Sequence, residues 1–148
     1  MSPKTGLFVS VSIASLALFA AEKRVQMKDL PEPVQKTVRE QTKTAKLRGL
    51  AKEVEDGKTF YEAETTVNGK SRDILIDPTG AVVEVEEAAE LASIPEAAQK
   101  TLKSAAGAGK ILSVETVTKG STVSYEAVVQ KSGKKSEVAV NADGSLKK

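Results

Sequence analysis

The sequence predicts an α+β protein of two tandem units, each a single helix packed on a three- to four-stranded antiparallel meander sheet. Three observations predict it. The phrase "LPEPVQKTVR" at Leu30 returns as "IPEAAQKTLK" at Ile94, with five of ten positions identical. A helical apolar stripe follows each phrase. Three tight-turn signals then separate strand-like runs in each half.

The repeat extends well beyond the phrase. Pro31, Glu32, Gln35, Lys36, Thr37, Lys46, Tyr61, Glu62, Ala63, Gly69, Lys70 and Gly80 each find the same residue 64 positions later. Between them the register slips by one, so that Gly57 pairs best with Gly120. A period this long is not a solenoid repeat; it reads as two copies of one small unit. The expected division is a signal segment over 1–21, one unit over 30–93 and a second over 94–148.

Pro31 and Pro33 open the first helix, because Pro is compatible with a first helical turn. Val34, Val38, Gln41 and Ala45 give it a weak stripe. The second helix has the cleaner stripe Ile94, Ala98, Leu102 and Ala105, and Gly107 and Gly109 end it.

The turns come next. "EDGK", "VNGK" and "DPTG" mark the first half, and "TKGS", "KSGK" and "NADG" the second. Asn68-Gly69 is a type I′ hairpin dipeptide, since both central residues need positive φ. Asp77-Pro78-Thr79-Gly80 suits a type I turn. Only Ser145 to Lys148 remain for a last strand of the second half, which is therefore short or absent.

Alternation assigns the faces. Tyr61, Ala63, Thr65 and Val67 share one face of their strand, and Val123, Tyr125, Ala127 and Val129 share its counterpart. Ile74 and Ile76 match Val138 and Val140. These apolar faces belong under the helices. Phe60, Glu62, Glu64, Asp73 and Leu75 then face away, joined by Glu84 with Val82. In the second half the same face carries Ser124, Glu126, Val128, Glu137 and Ala139. Uncovered, this face is a candidate protein- or peptide-binding surface, with Phe60 and Leu75 as apolar anchors among Glu62, Glu64, Asp73, Glu84 and Glu126. A basic partner would be steered to it. Alternatively, the other unit or a homodimer mate covers Phe60 and Leu75.

Composition excludes several function classes. With no Cys and no His, disulfides, thiolate nucleophiles, imidazole bases and almost every zinc, copper or haem site are out. Acids at alternating strand positions read as a solvated sheet face, so no catalytic residue is assigned and the chain is not expected to be an enzyme. Asp77 to Gly80 and Asn141 to Gly144 hold too few oxygens for a calcium loop and read as turns. No metal and no cofactor is expected. Nucleic acid is not expected either, because no basic stripe with stacking aromatics occurs. Residues 30–93 carry 9 basic and 13 acidic groups, net −4, whereas residues 94–148 carry 9 and 5, net +4.

At the start, Lys4 precedes an uncharged, largely apolar run from Leu7 to Ala21, and Glu22, Lys23 and Arg24 follow. This is the grammar of a secretory signal, with export to the periplasm or beyond the cell. Membrane attachment follows only if the segment stays uncleaved.

The segment "FYEAE", then "VNGK", then "DILIDPTGAVVEVE", placed after a signal and a helix, resembles the PepSY-like group of exported bacterial domains. That group includes β-lactamase-inhibitor-like proteins with two tandem α+β units. The resemblance covers roughly residues 30–148 and implies an exported, non-catalytic binding domain, an inhibitor or modulator of an envelope or extracellular protein. The alternatives are a structural or envelope-maintenance protein without a specific ligand and, more distantly, an unrecognised hydrolase.

Overall fold

The computed structural model describes residues 23–148. The expected signal segment lies outside them. The elements run β1 (Lys23–Arg24), a 3₁₀ turn (Met27–Asp29), α1 (Glu32–Gln41), β2 (Lys46–Glu55), β3 (Lys58–Val67), β4 (Lys70–Ile76), β5 (Val82–Ala89), a 3₁₀ turn (Leu91–Ser93), α2 (Glu96–Ala106), β6 (Lys110–Lys119), β7 (Thr122–Lys131) and β8 (Lys134–Asn141).

The strands form one eight-stranded sheet in sequence order, antiparallel throughout. This corrects the expected architecture. The protein is predominantly β, with two short helices on a shared sheet, not two tandem helix-on-sheet units. The seam is a regular ladder: β5 pairs with β6 from Val85↔Thr118 to Ala89↔Val114. β5 is committed to both sides, since Val85 packs against the core under α1 and Ala89 against the core under α2. A strand left at the edge of a small sheet would expose a row of unpaired N–H and C=O groups, and this pairing removes that edge.

Each helix buries one stripe. Val34 and Val38 of α1 pack on Leu50, Ala63, Ile74 and Ile76. Ala98, Leu102 and Ala106 of α2 pack on Val114, Ala127, Val129, Val138 and Val140. Leu102 is fully buried, which stabilises the fold by about 1.5–3 kcal/mol. Three positions are corrected. Ile94 precedes α2, whose N-cap is Pro95, although it packs in the same core. α1 ends at Gln41, where Thr42 turns its hydroxyl back onto the Val38 carbonyl at 2.8 Å, so Ala45 lies outside the helix. Val123 is 43% exposed, beyond the reach of α2.

The hairpin turns follow the local chemistry. Asn68 and Gly69 have φ of 49° and 80°, the left-handed pair a type I′ turn demands. Asp77 Oδ1 accepts from the Thr79 amide at 2.8 Å and the Ala81 amide at 3.1 Å, and Asp143 Oδ1 accepts from the Ser145 amide at 2.9 Å. Both carboxyls are thereby held below the usual carboxylate range, by the side-chain hydroxyls of Thr79 and Ser145 first. After Gly144 the chain makes a single bridge, Val140↔Leu146, along the outer edge of β8.

Both Gly80 and Gly144 touch a helix. A Cβ on Gly80 would lie 2.7 Å from the Pro33 carbonyl oxygen, and one on Gly144 2.6 Å from that of Ala97. Each turn is thus clamped to a first helical turn.

Candidate binding face

The sheet face away from the helices can be read row by row, because directly paired residues project to the same side. One row runs Ala51, Glu62, Leu75, Glu84. The next runs Gly49, Glu64, Asp73, Glu86, Val117, Ser124, Asn141. A third runs Ala88, Glu115, Glu126, Ala139. Glu53 lies opposite Phe60, and Glu137 opposite Val128. Every strand from β2 to β8 therefore places a carboxylate on this one face.

The structure puts Phe60, Glu62, Glu64, Asp73, Leu75 and Glu84 together, half-buried, on β3, β4 and β5. Glu126 shares the face but is separated from them by β6, and it is 5% exposed. Val82 is corrected. A bulge between Leu75 and Ile76 pairs Val82 with Ile76, which turns it to the helix side. There it joins Pro33, Lys36, Thr37 and Gly80 around an open depression beside α1. The solvated reading of the acids is corrected as well. Glu53, Glu126 and Glu137 are 3%, 5% and 2% exposed.

Cations reach the face from its margins. Arg24 pairs with Glu64 at 2.8 Å, Arg48 with Asp73 at 2.7 Å and Lys119 with Glu84 at 3.1 Å. Gly49 makes room for the first pair, because a Cβ there would sit 2.6 Å from Arg24 Nη1 and 2.8 Å from Glu64 Oε2. A bulge between Leu47 and Gly49 accompanies Arg48, which also donates to the Thr65 carbonyl at 3.2 Å. Lys147, beyond β8, donates to Ser124 Oγ at 3.0 Å.

The centre is less well compensated. Glu86 is raised to about 9, by burial first and then by Glu115, Glu126 and Glu84. It holds its proton at neutral pH and donates it to Glu84. Glu126 is raised to about 8, by burial first and then by its hydrogen bond with Glu137 and that group's charge, against which Lys147 acts. Asp73 and Glu115 are raised as well, each mainly by burial. Beyond the contact between the two carboxyls, Glu126 Oε2 and both Glu137 oxygens are buried with no hydrogen-bond partner.

The sequence reading places Glu137 on this face without making it a site residue, and it misses Glu53, Glu86 and Glu115, with the cations Arg24, Arg48, Lys119 and Lys147. The signal for the acids lay in the rows. Alternation within one strand shows a polar face, but only the pairing of neighbouring strands shows that acids stand against acids. Among the described residues no group of three or more acidic side chains is arranged to hold a metal ion. Nor is any helix among them long and apolar enough to cross a membrane.

No family model matches the chain, and no curated protein matches it. Solved structures share its fold. A protein assigned to the periplasm of Bacteroides eggerthii superposes with a TM-score of 0.65 at 19% identity, over 79% of this chain and 85% of that one. A DUF2874 family protein from Bacteroides ovatus gives 0.61 at 19% identity, over 80% and 85%. A BLIP-like protein from Bacteroides fragilis gives 0.58 at 15% identity, over 80% and 84%. At these identities the likeness is one of fold.

Proposed function

We propose that this chain is an exported, periplasmic or secreted, non-catalytic binding domain that takes a basic protein or peptide partner on its carboxylate face, as an inhibitor or modulator of an envelope or extracellular protein. The single observation that carries the reading is the gathering of acids from β2 to β8 on the side of the sheet away from the helices, around Phe60 and Leu75. Such a surface has an apolar patch to bury and one sign of charge to steer its partner, so association slows as salt rises. The resemblance to the PepSY-like and β-lactamase-inhibitor-like group, the apolar run Leu7–Ala21 and the shared fold with a BLIP-like protein and a protein assigned to the periplasm support it. The 64-residue repeat reads as a duplication of one small unit, a reading supported by hydrogen bonds that recur at the same spacing: Gln35 Nε2 to the Leu30 carbonyl at 2.9 Å, and Gln99 Nε2 to the Ile94 carbonyl at 2.9 Å.

The test has two steps. Stoichiometric partners are captured from envelope proteins with the full chain. Their binding is then measured against Phe60→Ser with Leu75→Ser, in protein whose fold is checked. Loss of binding, with a salt-dependent on-rate in the parent, supports the face. Undiminished binding with flat salt dependence places the site elsewhere, and reproducible failure to capture any partner favours a structural role in the envelope.

A further inference from the structure

Resting on that reading, we propose that the cluster formed by Glu86, Glu115, Glu126 and Glu137 on β5 to β8 is the seat for one cationic side chain, a Lys or Arg, of the partner. Glu86 and Glu115 are half-buried, the more accessible members of the cluster. Glu126 and Glu137, at 5% and 2% exposure, are its floor, the members most nearly covered.

The floor is short of donors. Three oxygens of Glu126 and Glu137 are buried without a hydrogen-bond partner. The contact between Glu126 and Glu137 can engage only one Glu137 oxygen, so the other is left with no donor. A buried carboxylate oxygen without a donor is costly, more so than a neutral acceptor. The chemistry that relieves it is a charged donor with several N–H groups, which a guanidinium or an ammonium supplies.

The charges around the seat agree. Glu126 faces Glu115 across β6, Glu137 across β8, Glu84 and Glu86 from β5, and Lys147 from the segment after β8. Glu86 faces Asp73 from β4, Glu115 from β6, Glu126 from β7 and its own-strand neighbour Glu84. Asp73 and Glu84 already hold Arg48 and Lys119. Lys147 shows that an ammonium fits at this margin: it bonds Ser124 Oγ and lowers Glu126 by its charge. Lys119, held by Glu84, also acts on Glu126 through its charge, and two ammoniums at the margin are too little for four carboxyls. An incoming cation favours the ionised forms of Glu86 and Glu126, so seating it expels protons that the empty face retains.

The experiment uses a hexa-arginine peptide and the full chain at pH 7 and low salt. Affinity and proton exchange are read by calorimetry in two buffers of different ionisation enthalpy. The variants are Glu126→Gln with Glu137→Gln at the seat, and Glu40→Gln with Glu96→Gln on the exposed helices. The Gln pair keeps shape and removes repulsion, so folding is preserved. Expected is net proton release by the parent, at least tenfold weaker binding with no proton release in the seat variant, and parent-like behaviour in the helix variant. Equal binding by parent and seat variant, binding without proton release, or no binding by the parent overturns the seat. The outcome is separate from that for the docking face. A captured partner lost by the Phe60 and Leu75 double variant but kept by the seat variant refutes the seat alone. A partner indifferent to the double variant refutes the anchors and leaves the peptide result to stand by itself.

Discussion

The Thr37 hydroxyl donates to the carbonyl of Gly80 at 2.6 Å, across 43 residues of chain. Thr101 and Gly144, each 64 positions further on, make the same bond at the same 2.6 Å. In both places a helix is tied to the turn that closes its sheet, and the glycine lets the turn come close enough. Thr37→Val should cost about 1 kcal/mol, the net worth of one hydrogen bond. Gly80→Ala should cost more, roughly 1–3 kcal/mol, because φ is +87° and the new Cβ meets the Pro33 carbonyl. Urea midpoints of the two variants, with unchanged m-values, check both figures.

Val140 is fully buried between α2 and the sheet. Val140→Asp would place a charge there with no partner. The expected loss is about 3–5 kcal/mol. Thermal unfolding followed by circular dichroism measures it, and a loss under about 1 kcal/mol would contradict the packing described.

Stability should fall as pH rises above the acidic range. Glu86 and Glu126, at about 9 and about 8, keep protons in the folded chain that ordinary carboxyls, near 4.5, release in the unfolded one. The folded state therefore binds more protons across that window, and stability declines from about pH 5 toward pH 8 and 9. The raised Asp73 and Glu115 act in the same direction. Asp77 and Asp143 act oppositely: their lowered values favour the fold above the ordinary range and lose that effect as pH drops below it. Melting temperatures should peak in mild acid. Glu86→Gln should flatten the alkaline decline and raise the melting temperature at pH 8; an unchanged profile would show that Glu86 does not hold its proton.

The seam between β5 and β6 predicts one cooperative transition. Because β5 serves both cores, loosening either one strips packing from the other. Ring signals of Tyr61 and Tyr125, one beside each core, should disappear at the same urea concentration. Separate midpoints would mean that the ladder from Val85 to Ala89 transmits little.

Local chemistry in the sequence reaches as far as local contacts. The prolines at the start of α1, the Asn68-Gly69 turn and the buried stripe of Ala98 and Leu102 are each fixed by residues a few positions apart. The direction in which Phe60, Glu62 and Leu75 face follows from period-two alternation. Continuity of the sheet does not, because nothing within "VVEVEEAA" distinguishes an edge strand from one paired on both sides. The buried acids are hidden for the same reason. Glu126 and Glu137 look solvated in their own strands, and only strand pairing brings Glu115, Glu126 and Glu137 together. The bulge that turns Val82 over is likewise invisible to simple alternation.

An open sheet has bare outer strands, and a bare strand can template the addition of another molecule's backbone. At the C-terminal end of β8 that route is closed. The Asn141 amide bonds the Ser145 carbonyl and the Lys147 amide bonds the Ala139 carbonyl, both at 2.9 Å. The opposite end of β8 begins with the exposed Lys134 and Lys135, where a second copy would set ammonium against ammonium. The hairpin after Val140 thus does for the assembly state what it does not do for the core: it leaves less bare backbone along β8 from which a fibre could grow.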